Sequence, residues 1–269
     1  MDYLSFKKEL TNLYNSFNNN NLNEIDYILS EITGKNLLDI KFYNFNLKEI
    51  NRAKKVAIKH LKTFKPIQKI FKSAYFYGSK FYVNNFVLTP RPDSEILVET
   101  ALKYNFNNCL DLCSGSGCLG LSIKKNKPNI NLTLSDISAK AIKISKINAK
   151  KLGVKAKFIK SNMFSKLKDK YDLIVCNPPY IETGVIKNLD KEVKNFDPLL
   201  SLDGGITGLK FYDIIYENLD NFLLKGGICL LEIGYNQASL INKFRQKFKN
   251  VCLIKDYNNL DRVIQIIKE

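Results

Sequence analysis

The sequence predicts an α/β protein: a mostly parallel, doubly wound sheet of seven strands with the last one reversed, preceded by a small helical domain. Three observations carry this expectation. From residue 93 onward, short apolar runs alternate with helical patterns of roughly 10 to 15 residues, which calls for right-handed crossovers between parallel strands. Ahead of them, residues 1–74 read as helix after helix. The last two strand-like runs are joined by DYNNL, too short for a crossover helix, so they should be antiparallel neighbours.

In residues 1–74 the segments SFKKELTNLYNSF, NEIDYILSEITG and LKEINRAKKVAIKHLKTF repeat apolar residues at helical spacing, with NNNN and GKN between them. None carries a chemical motif, so a docking or positioning role is expected for this domain. His60, the only histidine, is expected to decorate a helix face. Residues 75–92, YFYGSKFYVNNFVLTPRP, alternate aromatic and β-branched residues around Gly78 and Asn84-Asn85; this is hairpin patterning and marks the domain junction. In residues 93–269, strands are expected at NCLDLCSG, NLTLSD, AKFIKSN, YDLIVCN, ICLLEIG, VCLIKD and DRVIQIIK. Helices are expected at CLGLSIKKN, SAKAIKISKINAKKLG, GLKFYDIIYENLDNFLLKGG and QASLINKFRQKF.

An apolar share of 45% over 269 residues is enough for a real core. No run approaches the roughly 20 apolar residues of a membrane span. The start MDYLSFKKEL lacks the plan of a signal peptide, so a soluble cytoplasmic protein is expected. A net charge of +16 suits a polyanionic partner such as nucleic acid or the ribosome. The lysines, however, are spread over every segment beside abundant Asn and Ile, as a biased genome composition would produce. Six cysteines without a C-x-x-C pair, and a single histidine, leave a zinc site almost no ligands; the cysteines are expected as small buried hydrophobes and no metal is expected.

In 109-CLDLCSGSGCLGLSI-123 an apolar strand ends in Asp111, enters a tight loop with Gly115 and Gly117, and opens a helix. Small residues there let backbone approach a ligand at the carboxyl end of a strand. Asp136 ends the next strand about 20 residues beyond the glycines, where a carboxylate accepts ribose hydroxyls; its alternative role is a helix cap. Asn162, after the third strand, offers a hydrogen-bonding group for an adenine, and Met163 or Phe164 a cover for the base; the alternative is a turn with two core residues. Gly115, Gly117 and Gly120 also match a dinucleotide fingerprint, so this segment alone leaves NAD open.

The fourth strand, YDLIVC, runs into Asn177-Pro178-Pro179-Tyr180 beside this loop. The prolines fix φ and leave carbonyls free, so the Asn177 side-chain oxygen and the Pro178 carbonyl together can accept both hydrogens of one planar NH2 group, with Tyr180 as a packing face. An amide or base NH2 is a poor nucleophile because its lone pair is delocalised. Two acceptors on its hydrogens orient the nitrogen and stabilise the charge it gains in attacking an electrophilic methyl group. That chemistry favours S-adenosylmethionine over NAD.

At this point the sequence resembles the HemK/PrmC family of protein-(glutamine-N5) methyltransferases. The resemblance covers LTPRPDSE (88–95), DLCSGSG (111–117), the Asp of LSDIS (134–138), NPPYIE (177–182), FDPLLSLDGG (196–205) and LLEIGYNQ (230–237). It implies a class I S-adenosylmethionine-dependent methyltransferase fold with a front helical domain that docks the substrate. It further implies methyl transfer to the glutamine of the Gly-Gly-Gln loop of peptide-chain release factors during translation termination. Carried over residue by residue, Cys113, Ser114, Gly115, Ser116, Gly117 and Asp136 would bind the donor. Asn162 and Met163 would contact its adenine, Asn177 would touch donor and glutamine amide, and Pro178, Pro179 and Tyr180 would complete the glutamine pocket. Arg91 is expected either to support the site wall or to form a loop-packing ion pair. Two departures stand out: the family usually has Gly at Cys113, and Asp followed by an aromatic or aliphatic residue at Asn162-Met163.

The resemblance implies release factors as partners; the positive charge would suit proximity to the ribosome, the lack of a long apolar run argues against a membrane, and a monomer is expected, no dimer signature being visible. The rivals are a glutamine methyltransferase of a ribosomal protein, an amino methyltransferase of DNA or RNA bases, and a non-catalytic module on the translation apparatus. NPPY alone is shared with the base-modifying enzymes; the PRPDSE and FDPLLSLDGG segments point to glutamine.

Overall fold

The computed structural model describes residues 1–19 and 21–269, so of the asparagine run expected between the first two helices Asn20 lies outside the described residues. In chain order the elements are α1 (Tyr3–Ser16), α2 (Asn23–Thr33), α3 (Leu47–Thr63), α4 (Ile67–Phe71), β1 (Ser73–Phe76), β2 (Ser79–Tyr82), α5 (Glu95–Leu102), β3 (Asn108–Leu112), α6 (Cys118–Asn126) and β4 (Asn131–Asp136). They continue with α7 (Ala139–Leu152), β5 (Lys157–Lys160), β6 (Tyr171–Cys176), α8 (Lys191–Phe196), α9 (Lys210–Phe222), β7 (Leu223–Glu232), α10 (Leu240–Arg245), β8 (Asn250–Lys255) and β9 (Asp261–Ile267). Two compact units result: Met1–Lys72 with Lys191–Phe196, and the remainder. No helix among the described residues is long and apolar enough to cross a membrane.

The helical unit closes on the stripes its sequence predicts. Tyr3, Phe6, Leu10 and Tyr14 of α1 meet Ile25, Ile28 and Leu29 of α2 and Ile50, Ala53, Val56, Ala57 and Leu61 of α3. Asp2 caps α1 by accepting from the Ser5 N–H at 3.0 Å. Asn46 and Glu49 form a reciprocal capping box on α3, which fixes where that helix begins.

His60 is not on a solvent face: it is 1% exposed. Its Nδ1 lies 3.0 Å from the Lys65 carbonyl, while Nε2 lies 3.0 Å from Glu24 and 3.8 Å from Glu192. Three acceptors around one ring require both nitrogens to carry protons. Burial opposes that charge, but the Glu24 hydrogen bond, the Lys65 carbonyl and both carboxylates outweigh it and raise the His60 pKa. A raised imidazole pKa contributes stability fully present below the unfolded value of about 6.5 and lost as pH rises through the folded value. Melting temperature should therefore fall by a few degrees over that window, and His60→Gln should abolish this component. The variant itself should cost about 1–3 kcal/mol, because it leaves two partly buried carboxylates without their cation. A pH profile identical to wild type would remove the charge from the account.

The second unit holds a seven-stranded sheet in the order β5-β4-β3-β6-β7-β9-β8. All neighbours are parallel except β9, which is antiparallel to both β7 and β8. This is the predicted architecture, with the reversed last strand inserted between β7 and β8. Alternate residues feed opposite faces: Leu110, Leu112, Ile174 and Cys176 join one core, and Cys109, Leu173 and Val175 the other.

Three elements differ from expectation. The hairpin is only β1 and β2, residues 73–82, and the segment to residue 91 is loop. Helix α5, built from EILVETAL, was not expected; its first turn follows the PRP loop directly. Strand β7 begins at Leu223 inside the LLKGG run assigned to the preceding helix, where Gly226 at φ 75° and a register shift opposite Tyr171/Leu173 irregularise its start. All six cysteines are free; Cys109, Cys176 and Cys229 are buried in strands, but Cys113 is half-buried and Cys252 exposed.

Candidate active site

Strands β4 and β6 flank β3 on opposite sides, so the chain reverses its winding direction at β3 and opens a crevice at the strands' carboxyl ends. A cleft enclosing about 1110 Å³, open solvent included, occupies this place. The loop after β3 supplies Cys113, Ser114, Gly115 and Ser116; the end of β4 supplies Asp136; the turn after β5 supplies Asn162 and Met163; the loop after β6 supplies Asn177 and Pro179.

Three predicted residues do not line the cleft. Gly117, at φ 80°, sits behind the loop, where an added Cβ would come within 2.9 Å of Leu134 and 3.1 Å of Ser145; it permits helix α6 to pack closely on the sheet. Pro178 is buried, and Tyr180 turns inward, its hydroxyl 3.4 Å from Glu232. Phe164 also leaves the site, stacking on Phe222 at 4.7 Å between ring centroids in the core.

Asp136 is the polar focus of the donor side. Its Oδ2 accepts from the Gly115 N–H at 2.8 Å and its Oδ1 from the Ser138 N–H at 2.8 Å, so the helix-cap role and the cleft role coexist in one carboxylate. Burial raises its pKa while these two N–H groups hold it down. Beneath the loop, Asp111 accepts from the Gly120 N–H at 2.9 Å, and burial pushes its pKa up to about 7. Cys113 adopts φ 63°, the left-handed region in which glycine is at ease, at a cost of about 1 kcal/mol for a side chain. Its Sγ lies 3.6 Å from the Met163 Sδ. Met163 is itself at φ 46°, held in that turn by Ser161, whose hydroxyl donates to the Met163 carbonyl at 2.7 Å.

The opposite wall is a set of braces. Asp197 is buried and takes Arg91 Nη2 at 3.1 Å, the Thr89 N–H at 3.2 Å and the Thr89 hydroxyl at 3.3 Å, so the PRP turn is tied to the FDP segment. Arg91 therefore fills both expected roles, lining the cleft while pairing with Asp197. Gln237 donates to the Tyr180 carbonyl at 3.1 Å, and Ile181 exchanges backbone bonds with Leu202 and Gly204 at 2.9 and 2.8 Å. Asn148 of α7 bridges the Tyr82 and Ser116 carbonyls at 3.0 and 2.9 Å. At the centre, Asn177 Nδ2 donates to Ser94 Oγ at 3.2 Å. No group among the described residues donates to Asn177 Oδ1 or to the Pro178 carbonyl.

Residues 91–194 match the family model of the methyltransferase small domain. The chain is 39% identical over 213 residues to a release factor glutamine methyltransferase of Thermodesulfovibrio yellowstonii, covering 76% of each chain. It is 38% identical over 258 residues to one of Fusobacterium nucleatum, covering 91% of this chain and 73% of that one. The chain belongs to the release factor glutamine methyltransferase family. Among solved structures, this family member shares its fold with a methyltransferase from Pyrococcus furiosus (TM-score 0.55, 16% identity, 81% of this chain and 98% of that one). It shares it also with a T. thermophilus 16S rRNA N2 methyltransferase in complex with AdoMet and guanosine (TM-score 0.53, 17% identity, 73% of this chain and 50% of that one).

The residues present in this methyltransferase fit S-adenosylmethionine. Gly115 faces open space, with nothing within 4 Å of where a Cβ would stand, so ligand and backbone can meet closely. Each Asp136 oxygen has taken one N–H and keeps lone-pair capacity for a hydroxyl. Exposed Ile137 and buried Met163 give the cleft apolar surface beyond Asp136. Sequence reasoning missed Ile137, Phe86, Leu88 and Phe211 of the lining, which carry no motif, and Ser94, hidden inside PRPDSE. Asp136→Asn should weaken donor binding about 10- to 100-fold, as loss of charged hydrogen bonds implies, and calorimetric titration with S-adenosylmethionine reads it directly. An unchanged affinity would take the ribose role from Asp136.

Proposed function

We propose that this chain methylates the side-chain amide nitrogen (N5) of the glutamine in the Gly-Gly-Gln loop of peptide-chain release factors. The observation that carries the reading is Asn177 in the cleft lining, with neither its Oδ1 nor the carbonyl of the next residue, Pro178, engaged among the described residues, in a chain of this family. S-adenosylmethionine supplies an electrophilic methyl group when bound. Gly115, Ser116 and Asp136 hold its methionine and ribose parts, and Met163 and Ile137 offer apolar faces to its adenine, with Asn162 at the rim.

Asn177 and Pro178 accept the two amide hydrogens, which turns the nitrogen toward the methyl group and stabilises the positive charge as the bond forms. Pro179 walls the pocket. Tyr180 acts from behind, as a spacer on Glu232, in place of the direct packing face expected from sequence. The helical unit is the element assigned to release factor docking, and the protein works as a cytoplasmic monomer near the ribosome.

Incubation with labelled donor and, separately, release factor, ribosomes and DNA tests the reading. Label is expected in release factor. Label in ribosomal protein or in DNA alone would replace it with one of the rivals.

A further inference from the structure

The hairpin of β1 and β2 gives no residue to the cleft lining, yet one buried side chain fastens it to the loop that does. Asn148 of α7 is 0% exposed. Its Oδ1 accepts from the Tyr82 N–H at 2.6 Å, and its Nδ2 donates to the Tyr82 carbonyl at 3.0 Å and to the Ser116 carbonyl at 2.9 Å. One N–H faces the acceptor and two carbonyls face the donor, so only this orientation of the carboxamide satisfies all three bonds. Toward the hairpin it behaves as a neighbouring strand would, taking both the N–H and the C=O of one residue at the edge of a two-stranded sheet.

The loop on the other side needs holding. Its backbone is left-handed at Cys113, Gly115 and Gly117, a conformation that a cysteine does not keep by local preference. The Ser114 N–H is held by the Ser135 carbonyl at 2.9 Å and the Gly115 N–H by Asp136 at 2.8 Å. Asn148 holds the far end of the loop, at the Ser116 carbonyl. Helix α7 meets the same end at Gly117, where an added Cβ would stand 3.1 Å from the Ser145 Cβ. Asn148 itself does not line the cleft, so the carbonyl it binds is directed away from the ligand side.

We propose that Asn148 is a positioning residue for the methyl donor, and that through it the hairpin sets donor affinity from outside the cleft. With the carboxamide gone, the Ser116 carbonyl is released, the loop samples other backbone states, and only the fraction in the donor-ready form binds. The coupling is reciprocal: a donor that selects the held loop also favours the Asn148 bonds, and with them the closed edge at Tyr82. The inference rests on the reading of Cys113–Gly117 as the donor seat.

The test uses the full chain, S-adenosylmethionine as the probe, and two variants. Asn148→Asp keeps shape and the acceptor for the Tyr82 N–H but sets a carboxylate against two carbonyls; Asn148→Ala removes all three bonds. The hairpin keeps two further anchors, Tyr77 N–H on Glu95 at 2.8 Å and Lys125 on the Ser79 hydroxyl at 2.9 Å, so both variants should fold. Calorimetric titration should show donor Kd raised about 10- to 100-fold in each, the range set by freeing a buried carbonyl. Hydrogen exchange in nitrogen-labelled protein gives a readout that a merely structural role would not move. Donor should slow exchange of the Tyr82 amide in wild type, although that amide lies outside the cleft, and should not slow it in Asn148→Ala. The wild-type half of this experiment decides the matter even if neither variant folds: no slowing at Tyr82 on donor binding overturns the coupling. Unchanged donor Kd in Asn148→Asp, or a variant that only melts earlier, refutes the positioning role while the donor seat stands. If wild type takes up no donor, the donor-seat reading fails and the proposal falls with it.

Discussion

Asn177→Ala should lower kcat for release factor methylation about 100- to 1000-fold, the range seen when one preorganised polar group is removed from a reacting centre, while donor affinity changes little. The asymmetry follows from position. Asn177 follows the end of β6, and its side chain's hydrogen bond among the described residues goes to Ser94, just ahead of α5, and to no group of the glycine loop or Asp136 that serve the donor. Truncation removes an acceptor for the amide hydrogen and leaves the donor wall intact. Single-turnover kinetics alongside donor titration separates the two effects. A variant that lost donor binding in step with activity would reassign Asn177 to the cofactor.

Gly208→Ala should damage both folding and catalysis although the residue lies outside the cleft lining. A Cβ there would stand 2.5 Å from the Tyr180 carbonyl oxygen, a backbone atom, and Gly208 sits at φ 72°. Clash and left-handed backbone together should cost about 2–4 kcal/mol, or force the NPPY loop to shift. Gln237, which also grips the Tyr180 carbonyl at 3.1 Å, would be displaced with it. The expected result is a melting temperature several degrees lower and methyl transfer reduced more than donor affinity. Wild-type stability and rate would mean that the turn holding Gly208 does not brace the site.

The strands and their motifs were legible because each is local. An apolar run ending in a small, polar or proline residue specifies a strand and the turn at its carboxyl end, and four such turns, at Gly115, Asp136, Asn162 and Asn177, meet in one cleft. What sequence could not deliver are pairings across long chain separations. His60 reads as one more polar residue on α3 until Glu24 and Glu192 are seen around it. Arg91 and Asp197 lie 106 residues apart, and each alone is an ordinary loop charge. Glu232 closes an apolar strand, and only the fold brings it to the Tyr180 hydroxyl. Tyr180 was misjudged for the same reason: its aromatic face suggests a pocket wall, but Glu232 and the Gln237 bond draw it inward. Phe164 went to the core because Phe222, from α9, was there to stack on it.

The central claim is that the nitrogen methylated is the side-chain amide of a release factor glutamine. Tandem mass spectrometry of release factor after incubation with this protein and S-adenosylmethionine addresses it most directly. The account predicts one added methyl group on the glutamine of the Gly-Gly-Gln loop, absent when Asn177→Ala replaces wild type. A methyl group on any other residue, or an unmodified glutamine in release factor alongside a methylated ribosomal protein or nucleic acid base, would contradict it.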